Sequence, residues 1–502
     1  MKKQLSLILA LLLLASSFAS CANTSGGNSG GSDTSDPSGG ESNPDETEIE
    51  TDTEETRIKL GLEEGLDFDG YNMRVLTKTA EVGDSFITDL NGDAVNDALY
   101  NRDRTVEKLL DIKITPTSYT DMGYDAAKLQ NLIQSNEDAY DFLHIQASTF
   151  FANRPTYELL MLDMANEDNL DLEAPWWNTP AMDELSYNGK VRKYLIGDIS
   201  KSSISGASVI FYNKNLFGDI YQNPDQPYTD VIEGKWTVDK IAEYCEGAYQ
   251  DTDGNGTKDE TDFWGTMMNP WLLASAFNGF SDTRFYTRDS DGYIRLDLDE
   301  DRVVTYSEKL WSFVRENSGV YYTTDNNWHN NATKLFAEGN MLFLGFFLSS
   351  VENEEFRTMD DDYGILPFFK LDESQEKYYS DLNPSGTQWI CVPKTCREVD
   401  KTTATIEALS YYSYYDVTPI FYESALKSKY TRDQQSGIVI DMVRDSIRTD
   451  YLIAIYRSTI GQHFVNQIAA NNQGYISSWQ KSLKNYTKQM EKAYAQLDDE
   501  IK

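Results

Sequence analysis

Two hydrophobic periods alternate across residues 72–145, and this constrains the fold more than any other feature of the chain. Tyr71, Met73 and Val75 recur at every second residue, as in a strand with one buried face. Ala98, Leu99, Arg102, Val106, Leu109 and Leu110 then keep the helical period. Ile112 and Ile114 alternate again, Ala126, Leu129, Leu132 and Ile133 return to helical spacing, and residues 140–145 read as a third strand. A β-α-β-α-β succession implies a parallel sheet with right-handed crossovers. Such sheets receive ligands beyond the carboxyl ends of their strands. That points to Thr77-Lys78-Thr79 and Gln146-Ala147-Ser148-Thr149, although loop solvation accounts for each polar residue taken singly.

Residues 187–217 form a second pivot. Asn188-Gly189 predicts a tight turn, residues 191–196 a strand, residues 200–206 a Ser/Gly-rich loop, and residues 208–212 an apolar strand. On either side lie Pro175-Trp176-Trp177-Asn178, whose indoles either pack as core or present a flat face for stacking, and Trp236-Thr237-Val238-Asp239, where Thr237 is a helix N-cap candidate.

Asn188-Gly189-Lys190, Tyr194 and Tyr212-Asn213-Lys214-Asn215-Leu216-Phe217 resemble the bacterial extracellular solute-binding proteins, family 1, of ABC importers. The order of further segments continues the resemblance: Trp236-Thr237-Val238-Asp239, the helix–glycine–strand unit of residues 336–345 followed by Phe346 and Phe347, Tyr363-Gly364-Ile365-Leu366-Pro367, and residues 385–393. Gly197-Asp198 stands where the family often has proline, and Asn215 where Asp is usual. The resemblance implies an α/β, two-lobe periplasmic-binding-protein-like fold with a hinge and an interlobe cleft. One lobe would comprise residues 67–196 with 386–430, the other residues 197–385 with 431–502. It also implies a non-catalytic monomer that captures a solute and delivers it to an ABC transporter permease. Gln146, Ser148 and Trp177 would line the first-lobe wall, Trp271 and Phe346 the second, with Asp198 and Trp389 at the crossings. Aromatics are 13% of the chain and several fall at these loops, which tilts the expected solute toward a sugar or oligosaccharide.

Other classes are disfavoured by what the sequence lacks. None of the three histidines (His144, His329, His463) has a zinc-ligand partner at motif spacing, and neither Gly-x-Ser-x-Gly nor a phosphate-cradling glycine loop occurs. A surface glycoside-acting enzyme, or a carbohydrate-binding adhesin or sensor, is the alternative. The formal net charge of −38 argues against nucleic acid and against docking of the folded body on anionic lipid. Cys391 and Cys396 either pair or stay as buried thiols, because an exported chain of this size does not need a disulfide framework.

Residues 251–262 carry oxygen side chains at loop positions one, three, five, nine and twelve: Asp251, Asp253, Asn255, Asp259 and Asp262. Glycine stands at position six, and Thr257 would offer its carbonyl. The spacing suits a hard cation, calcium before magnesium, in a structural role. Asp262 stands where Glu is usual, and Phe263-Trp264-Gly265 reads as extended where a helix should follow, so a metal-free surface turn is the competing reading.

Residues 1–20 begin with Lys2 and Lys3 and continue through an apolar run too short to span a membrane, as in a signal peptide. Phe18-Ala19-Ser20-Cys21 resembles a lipobox with a bulkier residue at the usual leucine, implying lipidation at Cys21 and a lipid-anchored protein on the extracytoplasmic face of the cell membrane. Residues 21–66 would then be an acidic tether too poor in large apolar side chains to offset its ordering entropy. Cys21→Ala is expected to release the protein from membranes. Membrane retention of the variant, with no acyl group on the wild type by mass spectrometry, would contradict this.

Overall fold

The computed structural model describes residues 57–78, 85–86, 89–119, 122–148, 154–422 and 434–501. The signal peptide, Cys21, the tether up to residue 56, Thr79 and Thr149 lie outside the described residues.

The chain opens with β1 (Tyr71–Lys78), α1 (Ala94–Leu110), β2 (Ile112–Tyr119), α2 (Met122–Gln134) and β3 (Phe142–Gln146), the succession that the two periods predict. The Asp93 side chain accepts from the N–H groups of Val95 and Asn96 to start α1, and Asp111 ends it in the left-handed region at φ 47°. Strand β1 pairs in parallel with β2 on one side and β3 on the other. Arg102, placed on the buried face of α1 by spacing alone, is buried and ion-paired with Asp103 at 2.7 Å.

Farther along come β4 (Ser208–Asn213), α3 (Pro270–Ser275), β5 (Phe343–Phe347), β6 (Tyr363–Pro367), β7 (Gln388–Cys391), α4 (Val399–Tyr412) and the tail helix α5 (Tyr475–Ile501). Strand β4 lies between β5 and β6, antiparallel to both, in a second sheet. Strand β7 returns to the first sheet antiparallel to β3, with Gln388 opposite Gln146 and Cys391 opposite Leu143. The Thr237 side chain caps its helix by accepting from Lys240 N–H, as expected. In α5 the helically spaced Trp479, Met490 and Tyr494 are buried.

Three passes of chain run side by side between the sheets. Leu195 bridges Ile390 and Ala207 bridges Leu382. The third pass, Ile447–Arg448, runs parallel to Ser380–Asp381, and Leu382 N–H donates to Arg448 O at 3.1 Å. Gly206 sits here because a Cβ would lie 2.7 Å from both Ser202 O and Thr387 Oγ1.

One expectation fails in residues 187–217. The Asn188-Gly189 turn forms, with Gly189 at φ 71°, but residues 191–196 are not a strand. Their hydrogen bonds are divided: Met164 N–H donates to Arg192 O at 2.8 Å, Arg192 N–H to Asp163 Oδ1 at 2.9 Å and Lys193 Nζ to Met161 O at 3.0 Å in a neighbouring loop, while Leu195 alone bridges Ile390 and Asn178 N–H donates to Ile196 O at 2.8 Å. The Ser/Gly-rich loop also holds a short helix, Ser202–Ser205. Cys245, Cys391 and Cys396 are buried free thiols, which resolves the pairing question.

Trp176 and Trp177 both turn inward and donate Nε1–H to one carboxylate, Glu407 on α4, each at 3.0 Å. Burial pushes the Glu407 carboxyl up to about 7 against the pull of both indoles. The folded chain therefore holds a proton that the unfolded chain has released. This stabilisation is full below the ordinary carboxyl value and is lost as pH rises through about 7. Glu407→Gln is expected to lose less melting temperature than wild type between pH 5 and pH 8; equal losses would contradict the assignment.

Candidate functional site

Past the carboxyl end of β3, the chain runs against the segment that leads back into β7. Ala147 N–H donates to Thr387 O at 2.9 Å and Ser148 N–H to Pro384 O at 2.8 Å. The Gln146 side-chain amide donates to Ser385 O. Three polar atoms on this turn, Gln146 Oε1, Ser148 Oγ and Thr387 Oγ1, are buried with no partner among the described residues. Each such atom costs about 1–3 kcal/mol if left unsatisfied, which makes this turn the place to look for a further hydrogen-bonding partner.

Arg457 joins this turn to the region of the second sheet. One guanidinium nitrogen donates to Asn383 Oδ1 at 3.2 Å and Ser385 Oγ at 3.0 Å, and another donates to Ser275 Oγ on α3 at 2.7 Å. Arg457 opens a π-helical turn, Arg457–Gly461, a rare widening of the helix that often occurs at functional sites. Asn278 Nδ2 donates to Gly461 O at 2.8 Å and holds this turn against the end of α3.

Helix α3 starts cleanly. Asn269 accepts from Leu272 N–H at 2.7 Å and Pro270 occupies the first turn, where no N–H is needed. Trp271 and Ser275 are four residues apart and share one helix face. Half-buried Trp271 stacks on His329 with ring centroids 3.9 Å apart and lies 6.0 Å from both Phe346 and Phe347. Hydrogen bonds thus link Gln146, Ser385, Arg457 and Ser275, and Ser275 stands on the helix face of Trp271, whose ring lies 6.0 Å from Phe346 on β5.

The other sequence candidates stand elsewhere. Trp177 is buried on Glu407, and Trp389 is 1% exposed with its ring 5.1 Å from Tyr194. Asp198 accepts from Thr418 Oγ1 at 2.8 Å, and burial pushes its carboxyl up to about 7. Gly197 beside it has no room for a side chain, because a Cβ would lie 2.4 Å from Trp176 O. Arg457, Ser275, Ser385, Thr387 and His329 were not singled out by sequence. The one usable signal was an arginine directly after the apolar run Leu452-Ile453-Ala454-Ile455-Tyr456.

The three histidines occupy separate environments. His144 is held between Thr77 Oγ1 at 3.1 Å and Ser200 Oγ at 2.7 Å, and burial lowers it to about 3. His463 faces Tyr486 at 3.0 Å and is lowered by burial to about 4.

In the acidic loop, ligand oxygens of Asp251, Asp253 and Asp262 lie within 4.8 Å of one another and could hold a divalent cation. Mutual bonds between Gln250 and Phe263, each 3.0 Å, close the loop, and Phe263 leads to a strand, Thr266–Met268. Asp259 faces its own turn, accepting from Thr261 N–H at 2.9 Å. Asn255 Nδ2 donates to Asp253 Oδ2 at 2.7 Å, and Thr257 N–H donates to Asn255 Oδ1 at 2.5 Å.

No protein-family model matches the chain, and no curated protein matches it in sequence. Solved structures do match. UgpB from Mycobacterium tuberculosis in complex with glycerophosphocholine is 12% identical, with 86% of this chain and 99% of that one covered and a TM-score of 0.53. The galacto-N-biose/lacto-N-biose I-binding protein of an ABC transporter from Bifidobacterium longum is 13% identical, with 84% and 98% covered and a TM-score of 0.51. The ABC transporter associated binding protein from B. animalis subsp. lactis, in complex with beta-1,6-galactobiose, is 14% identical with the same coverage and TM-score. At these identities the likeness establishes the fold: an α/β chain resembling the two-lobe periplasmic-binding-protein fold.

Proposed function

We propose that this protein is an extracytoplasmic solute-binding lipoprotein of an ABC importer that captures a sugar or oligosaccharide between its lobes. The lobes would be residues 67–196 with 386–430 and residues 197–385 with 431–502. The observation that carries this reading is the hydrogen-bonded series Gln146, Ser385, Arg457 and Ser275, which has polar atoms without a partner among the described residues at one end and, on the helix face of Ser275, the aromatic cluster of Trp271 at the other. Ring faces stack on aromatics, and sugar hydroxyls need both donors and acceptors. The same fold in structures holding lacto-N-biose and galactobiose supports the choice of solute.

Binding, not chemistry, would be the work of this site. Contacts formed to both lobes at once stabilise the closed arrangement only, and that difference drives closure. The permease would read the closed form. Gln146, Ser148, Trp271 and Phe346 would touch the solute. Trp177, Asp198 and Trp389 would act beneath it, shaping the wall and the crossings. Trp271→Ala is expected to weaken saccharide binding by about 2 kcal/mol, roughly thirtyfold, with little change in melting temperature. Trp389→Ala should instead lose about 3–5 kcal/mol of stability. Unchanged saccharide affinity in a folded Trp271→Ala protein would refute the site.

The acidic loop would take calcium through Asp251, Asp253 and Asp262, with Asn255, Thr257 and Asp259 completing the shell after local rearrangement. At free calcium about a hundred times the dissociation constant, linkage predicts about 2.7 kcal/mol of stabilisation. Asp251→Ala should abolish the calcium-dependent rise in melting temperature. A wild-type melting curve indifferent to chelator would count against the loop.

A further inference from the structure

We propose that the solute is acidic: a saccharide bearing a carboxylate, which the Arg457 guanidinium receives at the crossing. This deepens the binding reading above and rests on it. Arg457 is unusual in a chain with 82 acidic residues against 44 basic ones. Arg74, Arg102 and Arg302 each face a carboxylate within 3 Å. Arg288 and Arg315 instead turn to backbone carbonyls. Arg457 does neither: its three bonds go to the neutral side-chain oxygens of Asn383, Ser385 and Ser275. Among the described residues, no carboxylate lies within ion-pair distance of it, and burial alone lowers its pKa. A half-buried guanidinium without a counter-charge is costly unless a charge arrives from outside.

The surroundings fit a carboxylate on a sugar. Ser148 and Thr387 supply unsatisfied hydroxyls and Gln146 Oε1 an unsatisfied acceptor, on the same turn whose Ser385 binds Arg457. The planar guanidinium fork matches a carboxylate's two oxygens. Trp271 lies four residues from Ser275, about 6 Å along α3, so a ring stacked there can reach the cation with its substituent. The net charge of −38 does not exclude an anion, because physiological salt screens exposed charges beyond about 8 Å, whereas the buried contact is screened much less.

The test is calorimetric titration with short oligogalacturonides and glucuronate-bearing xylo-oligosaccharides, each beside its methyl ester, which keeps the shape and removes the charge. Proteins are wild type, Arg457→Gln, Arg457→Lys and Trp271→Ala, each with a melting curve. At least one acid is expected to bind wild type and to weaken about thirtyfold or more on esterification or in Arg457→Gln, with Arg457→Lys between. If Arg457→Gln does not fold, the ester comparison on wild type decides alone. An ester binding as tightly as its acid, or no acid binding at all, overturns the proposal. Neutral saccharides that lose affinity in Trp271→Ala but not in Arg457→Gln would overturn it while leaving the saccharide reading intact. Acid binding indifferent to both substitutions would overturn both.

Discussion

The pairing of β7 with β3 is the contact on which the rest of the structure depends. It joins residues more than two hundred positions apart, with Gln388 opposite Gln146. That register carries Ser385 and Thr387 past the end of β3, where they meet Gln146 and Ser148. It also fixes the passes at Leu195, Ala207 and Leu382 that connect the two sheets. A one-residue slip would exchange the two faces of β7 and bring Trp389, now packed on Tyr194, to the opposite side. The proposed site and the crossings are therefore set by one ladder.

Hydrogen bonding at the crossings is economical and leaves room for motion. The passes touch through two isolated bridges and one two-residue ladder, whereas the two main sheets are held by longer ladders. Few bonds must change for the sheets to reorient, as hinge closure requires. Arg457 spans the two sides through three neutral acceptors, which a solute can replace or supplement without breaking an ion pair.

Local periodicity exposed what is local. The β-α-β-α-β succession and the Thr237 cap were legible because each is written in nearby stretches of chain. Residues 191–196 alternate like a strand yet are not one, because the loop of residues 161–164 takes the bonds of Arg192 and leaves only Leu195 to bridge β7. Trp177 was equally open to core or cleft until Glu407, some 230 positions away, supplied a buried acceptor for its indole. Arg457 was unreadable for the opposite reason: what sets it apart is that no carboxylate among the described residues pairs with it, which no spacing records. Trp271 and Phe346, expected on one wall, do come together, 6.0 Å apart by ring centroids.

Closure of the lobes around a solute is the central claim, and a distance between them tests it most directly. Spin labels at the exposed positions Lys113 on β2 and Glu308, in the helix Glu300–Arg315, would report on the two proposed lobes. With a saccharide that calorimetry shows to bind, pulsed dipolar spectroscopy should show the inter-label distance shorten by several ångströms and its distribution narrow. An identical distribution with and without the bound saccharide would contradict capture by closure.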